Sequence, residues 1–392
     1  MANNIDETIK LDSLFERSSL TSVTEFEKVL AKTLDKINAM LASGSGTEYT
    51  RSRLNALKAN IIDLINADYS TLAKLIAEDK AEWAQLAFDT QYSAFAAGVE
   101  GAVALSFTKI PEAAVKRILD PNNLVMGQTY TELIGKLKVA NETVIPIIAE
   151  GVTSGRPTPD IVKDITEIYG GIQRHKVDAL ARTVITDAMQ RSNEEAITQI
   201  EKQTSVVNVA IYQATLDLRT TPICSQLDGT TWIRKKDESF AEFKSRVLAP
   251  SSKSYGRSPN PPLHFNCRSK LIWSTREFLD EYKKGERPGV LTTAKTVNHT
   301  GDKNITVQDY YEKYGKLPPT STKFKIDKVE QVPTKVTFNQ WFNRQDVKYQ
   351  RQYLGNTRYE LYKQGNLSVE QLMDVKKNKF YTIDKIKEMY NI

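Results

Sequence analysis

Val23, Phe26, Leu30, Leu34, Ile37 and Leu41 recur at steps of three and four, which lays one apolar stripe along an α-helix. Ser43-Gly-Ser-Gly46 ends that helix with a flexible stop. The spacing returns between Arg51 and Gly98, at Leu54, Leu57, Ile61, Leu64, Ile65, Leu72, Leu75 and Ile76. Ala-rich turns from Trp83 to Ala97 favour close helix contacts there. Long bundled or extended helices are therefore predicted for the first part of the chain. Pro111 and Asp120-Pro-Asn-Asn123 then punctuate the sequence and predict shorter helices. Thr131 to Glu150 reads as a helix that Pro146 kinks or breaks, and Gly151 to Pro157 as a loop. Thr158-Pro159-Asp160 sets a capping hydroxyl ahead of a proline at the first helical position, with Ile161, Ile165, Ile168 and Ile172 following at helical spacing. After an interruption point at Gly170-Gly171, a second helix is predicted from about Arg174 to Gln203.

The period then changes. Val206 to Tyr212, Thr230 to Ile233 and Arg268 to Trp273 are β-branched and roughly alternating, which predicts a small antiparallel sheet. Glu238 to Leu248 reads as a short helix, and Ala249 to Asn260, rich in Ser, Pro, Gly and Asn, as a surface loop. From Thr275 to about Lys335 the chain is polar and punctuated by Pro288, Pro318, Pro319 and Pro333; it reads as an extended linker with one short helix near Val307 to Tyr314. A compact helical tail is predicted from Phe338 to Ile392. The class is thus α+β, in four segments: helical 1–157, an α+β core at 158–275, a linker at 276–337 and the tail at 338–392.

A length of 392 residues agrees with several units, because single cores stop growing at about 250–300 residues. Hydrophobic residues at 40% and charged ones at 26% are ordinary soluble composition. No apolar run approaches the roughly 20 residues that span a bilayer, so no membrane partner is expected. Met1 to Thr8 lacks the basic and apolar regions of a secretory leader, which places synthesis and folding in a cytoplasm. The net charge of +6 comes with many lysines after about residue 320. That balance permits contact with nucleic acid and equally describes a solvated basic surface.

The scarce residues concentrate in one place. Asp217-Leu-Arg-Thr-Thr-Pro-Ile-Cys224, Leu227-Asp-Gly229 and Pro261-Pro-Leu-His264-Phe-Asn-Cys267-Arg268 hold both cysteines of the chain and one of its three histidines. Such a concentration in a turn-rich segment implies a cross-link between two loops, by metal or by sulfur. Two readings of the frame around it follow from residue type. Gly229 suits the left-handed position of a turn before Thr230. Asp217 and Arg219 can tie the loop by charge-assisted hydrogen bonds, with Arg182 or Arg268 anchoring it from helix or strand, and Pro261-Pro262 restricts the approach to His264.

From about Ala181 to Trp273 the order of residues resembles the phage head morphogenesis family typified by the F protein of phage Mu, minor virion proteins that associate with the portal. The resemblance is carried by Ala181-Arg182-Thr183 opening a helix, Asn193, Asp217-x-Arg219-Thr220, Cys224, Asp228-Gly229, and Pro262-x-His264-x-Asn266-Cys267-Arg268. Phe338, Trp341-Phe342, Gln345, Gln350, Leu354-Gly355, Arg358, Leu361, Gly365 and Leu367-Ser368 are similar to the helical segment that often closes such proteins. The resemblance implies a virion protein of the phage head, assembled in the host cytoplasm. It implies a portal protein and a major capsid or scaffolding protein as partners, and no catalytic residue. Many relatives carry Cys-x-x-Cys after the Arg-Thr pair, and here Thr221 takes its first position. Cys224, His264 and Cys267 remain a candidate zinc set, with Asp217, Asp228 or water as the fourth ligand. Two buried thiols beside a hydrogen-bonded histidine, and a Cys224–Cys267 bridge in the extracellular virion, stay open beside it.

Two further functions are weighed from the residues. His264 with Asp217 or Asp228 is the minimum for a metal-dependent nuclease or a toxin-like effector. Lys376, Lys377, Lys379, Lys385 and Lys387, with Tyr381 and Tyr390 among them, are suited to contacting phosphates and bases of viral double-stranded DNA.

Overall fold

A computed structural model describes residues 20–42, 51–98, 111–120, 122–135, 144–154, 158–165, 171–251, 256–290, 295–299, 302–306, 323–326, 329–364 and 367–391, with Leu11, Phe15, Arg156 and Ser254 besides. The predicted N-terminal helices form as α1 (Thr21–Ala42) and α2 (Arg51–Gly98). Val23, Phe26, Leu30, Ile37 and Leu41 of α1 are buried against Ile61, Ile65, Leu72 and Ile76 of α2, with Leu34 at the margin. Polar ties fix which turns meet: Asp79 accepts from the Ser22 amide at 2.8 Å and its hydroxyl at 2.5 Å, and Thr33 donates to Asp68 at 3.0 Å. A slip of either helix would bury these carboxylates without donors, at a cost of several kcal/mol.

After α3 (Glu112–Leu119) comes a hairpin the sequence reading missed, β1 (Leu124–Val125) and β2 (Gln128–Thr129). Its turn residues Met126 and Gly127 both have positive φ, as a two-residue primed turn requires. Next are α4 (Tyr130–Gly135), α5 (Val144–Thr153) and α6 (Thr158–Ile165). Pro146 breaks nothing here, since it lies in the first turn of α5, where its missing N–H has no helical partner to lose. The expected loop at Gly151 is also corrected: α5 continues through Gly151 to Thr153. A Cβ at Gly151 would stand 2.6 Å from Cγ1 of the buried Ile161 on α6, so the glycine permits the close crossing of the two helices. Gly151→Val is expected to lower unfolding free energy by about 1–3 kcal/mol through overpacking. A denaturant midpoint equal to that of the unsubstituted chain would contradict this contact. Ile168 lies outside the described residues.

The next helix, α7 (Gly171–Thr204), is 34 residues long and lies within the segment expected as the core, yet its residues serve two clusters. Its Val177, Leu180, Ala181, Val184 and Ile185 join the cluster of α1 and α2, whereas Ala188, Ala196, Ile197 and Ile200 join the core that follows. Helix α2, at 48 residues about 72 Å long, does the same, lending Ala84, Phe88 and Tyr92 to the second core. Two parallel clusters are thereby strung on two shared beams.

The predicted sheet is β3 (Val209–Gln213), β4 (Thr231–Ile233) and β5 (Lys270–Ser274), antiparallel in the order β4-β3-β5. Between β3 and β4 lies α8 (Pro222–Leu227), and α9 (Phe240–Leu248) follows β4, opened by the capping box of Ser239 and Glu242. Strand β3 is buried along its whole length. Ala210 and Tyr212 face the main core, and Val209 and Ile211 pack with Ile272 under Leu279 and Tyr282 of α10 (Arg276–Lys284).

Helix α10 belongs to the segment read as a linker, which is not free chain in its described part. Strand β6 (Glu286–Val290) pairs antiparallel with β10 (Val329–Pro333), and β7 (Lys295–His299) pairs with both β8 (Asp302–Thr306) and β9 (Lys323–Ile326). Pro288 and Pro333 fit because each strand of a two-stranded ribbon is an edge, where an absent N–H breaks no ladder. The helix expected at 307–314 lies outside the described residues. The tail forms α11 (Phe338–Phe342), α12 (Val347–Leu354), α13 (Asn356–Lys363), the short pair β11 (Met373–Asp374) and β12 (Lys379–Phe380), and α14 (Ile383–Tyr390). Its Phe338, Trp341, Phe342, Tyr349 and Tyr353 are buried in the same cluster as Cys224, Cys267 and Trp273.

Candidate metal centre

The two motif loops meet. Cys224, in α8, places Sγ 3.2 Å from Nε2 of His264 and 3.9 Å from Sγ of Cys267. The donor atoms of all three lie within 4.8 Å of one another. A tetrahedral zinc ion with bonds of about 2.3 Å to sulfur and 2.0–2.1 Å to nitrogen sets two sulfurs about 3.8 Å apart and sulfur and nitrogen about 3.6 Å apart. The two separations from Cys224 fit that figure to within about 0.4 Å, and the third, between Cys267 and His264, is at most 4.8 Å.

Local structure explains the convergence. His264 and Cys267 close one turn, in which the Cys267 amide donates to the His264 carbonyl at 3.2 Å and Asn266 has φ of 57°. The Thr183 hydroxyl on α7 accepts from the Asn266 amide at 2.7 Å and pins this turn to the helix. Pro261 and Pro262 lead into it, both buried, through a cis peptide. Nδ1 of His264 lies 2.8 Å from the Phe265 carbonyl. A carbonyl oxygen only accepts, so Nδ1 carries the hydrogen and Nε2 keeps its lone pair toward the sulfurs, the tautomer a metal ligand needs.

Tyr212 supports the site from β3, donating its hydroxyl to Cys224 Sγ at 3.3 Å. Burial resists ionisation of Cys224, but the neighbouring Cys267 and His264 outweigh it and hold the thiol well below its ordinary range. Burial, and then the neighbouring Cys224, push the Cys267 thiol well above. For His264 burial pulls the imidazole down, and Cys224 outweighs it and raises it. Two buried sulfurs this close share one negative charge when no cation is present; a divalent ion makes both thiolates at once.

Neither expected carboxylate is free to join. Arg268 grips Asp217 with both terminal nitrogens, one at 2.6 Å, and the Arg219 amide donates to the same carboxylate at 2.8 Å. Asp228 accepts four bonds: from Arg287 at 2.8 and 2.6 Å, from the Ala214 amide at 2.8 Å and from the Phe338 amide at 2.6 Å. Their role as a fourth ligand is therefore corrected, since every carboxylate oxygen is already bound to protein donors. Arg268 anchors the loop as expected of one of the two arginines. Arg182 faces elsewhere, bonding Asp178 at 3.1 Å and the Phe15 carbonyl at 3.0 Å. Thr220 donates to the Thr215 carbonyl, and Tyr353 of the tail donates to the Thr220 carbonyl at 2.9 Å. Gly229 has φ of +77°, and a Cβ there would meet Thr337 at 2.9 Å. Tyr212 and Arg287 were missed by the sequence reading. Tyr212 shares the inward parity of Ala210 on β3, a usable signal; Arg287, in a polar stretch, carries none.

With the loops, sheet and helices in place, the architecture is that of an α+β core framed by long helices. Residues 142–272 match the family model described as Phage Mu protein F like protein. The matched segment is about a third of the chain. No curated protein and no solved structure matches the chain. Among the described residues no helix is long and apolar enough to cross a membrane.

Proposed function

We propose that this chain is a minor capsid protein of a tailed phage, seated against the portal and inner head shell during assembly, with Cys224, His264 and Cys267 holding one structural zinc ion. The family match over 142–272 carries the reading. The fold supports it: α2 and α7 are rigid beams that extend well beyond one core, a shape suited to bridging neighbours in a shell. Zinc here would fasten the His264–Cys267 turn to α8 and supply a charge that lets both thiols ionise. The chain's own residues orient the ligands, through Thr183, Tyr212 and the Phe265 carbonyl. Co-expression with the portal and major capsid proteins of the same phage should recover this chain in a complex with the portal. Portal that assembles and purifies without it, at equal expression, would remove the reading.

Packaged double-stranded DNA is the further partner. Lys376 and Lys377 are exposed in the turn joining β11 to β12, Lys379 is exposed at the start of β12, and Lys385 and Lys387 are exposed on α14. They are thus not one solvated helical face. Charge reversal at Lys376, Lys377 and Lys379 together is expected to weaken binding to random-sequence DNA and to flatten the log–log salt slope by about 2–3, from roughly 0.9 per phosphate contact. Unaltered affinity and slope would exclude this surface. The nuclease reading loses its carboxylates to Arg268 and Arg287, as described above.

A further inference from the structure

Cys224 and Cys267 are the chain's two cysteines, and both are free thiols. One sits on α8 and the other closes the His264–Cys267 turn, yet their Sγ atoms stand 3.9 Å apart, in van der Waals contact. A disulfide needs about 2.05 Å between sulfurs, so each has to move by about 1 Å, which rotation about its Cα–Cβ bond supplies. Both carriers are held from behind: Thr183 accepts from the Asn266 amide in the turn at 2.7 Å, and Asn378 of the tail accepts from the Ile223 amide on α8 at 3.1 Å. The sulfurs are thus kept facing each other whether or not an ion joins them.

Access and exclusivity decide what the pair can do. Each cysteine is 1% exposed, which closes both to a second protein's thiol. A small oxidant has a way in along the turn, because His264, which touches Cys224, is half-buried and Phe265 beside it is 45% exposed. Sulfurs joined in a disulfide carry no negative charge and no longer bind zinc as thiolates, so the ion and the covalent bond exclude each other.

We infer that Cys224 and Cys267 form a redox switch: as thiolates they hold zinc under reducing conditions, and a hydroperoxide joins them in a disulfide that expels the ion while keeping the two loops tied. Its metal-holding half rests on the zinc reading above. In the metal-free site the Cys224 sulfur attacks one peroxide oxygen; an S–O bond forms, the O–O bond breaks, and the departing hydroxide takes the Cys224 proton and leaves as water. The Cys267 sulfur then attacks the sulfenic sulfur; the S–S bond forms, the S–O bond breaks, and the second hydroxide leaves as water with the Cys267 proton. Two electrons pass from the sulfurs to the peroxide. With zinc bound, the two protons come from solvent. A particle that leaves a reducing cytosol for oxidising surroundings would exchange one fastening for the other at the same point of the fold.

The test treats the folded full-length chain, reduced and loaded with zinc, with hydrogen peroxide in the presence of a chromophoric zinc chelator. Release of one zinc per chain should accompany loss of the mass of two hydrogens from the intact, metal-free polypeptide. A tryptic digest should then contain peptides joined through Cys224 and Cys267, and dithiothreitol should restore both the mass and the zinc binding. The oxidised protein should unfold at a higher urea concentration than the reduced, metal-free one. Cys267→Ser should instead add oxygen at Cys224. Addition of oxygen to both cysteines with no joined peptide overturns the switch and leaves the zinc reading intact. So do thiols that stay unreacted at peroxide levels sufficient to oxidise the unfolded chain. A chain that binds no zinc beforehand yet yields the joined peptide overturns the zinc reading and supports the dithiol pair alone.

Discussion

Asp228→Ala is expected to lower the unfolding free energy by about 3–5 kcal/mol, because it leaves a buried guanidinium without its counter-ion. The Asp228 and Arg287 side chains are 0% and 3% exposed. Arg287 retains the Ala214 and Val336 carbonyls after the substitution, but its charge has no opposite. The amides of Ala214 and Phe338 lose their acceptor as well. Those partners come from the β3 edge, the β6 strand and the start of α11, so one carboxylate fastens the sheet to the returning chain and the tail. Local loosening should therefore accompany the global loss, with protease cleavage near residues 333–338 appearing before cleavage in α7. Asp228→Ala combined with Arg287→Met should cost clearly less than the sum of the two single changes, since removing both charges avoids the stranded one. Additive costs in urea unfolding would show that the pair does not act as a unit.

Arg287 also shows where sequence reading stops. It stands in Gly285-Glu-Arg-Pro288, polar and proline-bearing, and local pattern assigns such a stretch to solvent. Its burial is decided by a partner far away in sequence, Asp228, and no periodicity encodes that. Helix α10 is a different failure. Thr275 at its start, Glu277 in its first turn, Lys283 and Lys284 in its last and Gly285 beyond it form a complete set of boundary signals. They were outweighed because only Phe278, Leu279 and Tyr282 are apolar, too narrow a stripe to register beside the prolines that follow. The long helices were legible for the opposite reason: α1, α2 and α7 repeat their apolar positions over many turns, and the three strands change period abruptly after Thr204.

At the site, residue scarcity was enough to bring Cys224, His264 and Cys267 together on paper, and the structure places them within ligand distance of one another. The carboxylates were misjudged since an aspartate beside a cysteine looks the same in sequence whether it faces a cation or an arginine. Asp217 in Asp217-x-Arg219 had its answer fifty-one residues on, at Arg268.

The Asp217–Arg268 pair supports the second large effect. Arg268→Ala should cost about 3–5 kcal/mol near neutral pH, since Asp217 would keep only the Arg219 amide, the half-solvated Arg219 guanidinium at 3.5 Å and the Thr220 hydroxyl at 3.5 Å. Its pH dependence is the sharper signature. Burial pushes the Asp217 carboxyl up, but Arg268 outweighs this and holds it below the ordinary carboxylate range. A carboxyl depressed on folding contributes stability that is fully present above its unfolded value of about 3.9 and is lost as pH falls through the lower, folded value. Without Arg268 the burial contribution is expected to prevail and the carboxyl to rise above that ordinary value. The folded variant then binds its proton more readily than the unfolded one, so its stability should increase as pH falls from about 7 to 5, over which the unsubstituted Asp217 contributes no such gain. The free-energy gap between the two proteins should narrow over that range, and Arg268→Lys, with a point charge in place of a two-pronged grip, should fall between them. Urea unfolding at the two pH values decides it: a gap of constant size would mean that Asp217 is not held as a carboxylate by Arg268.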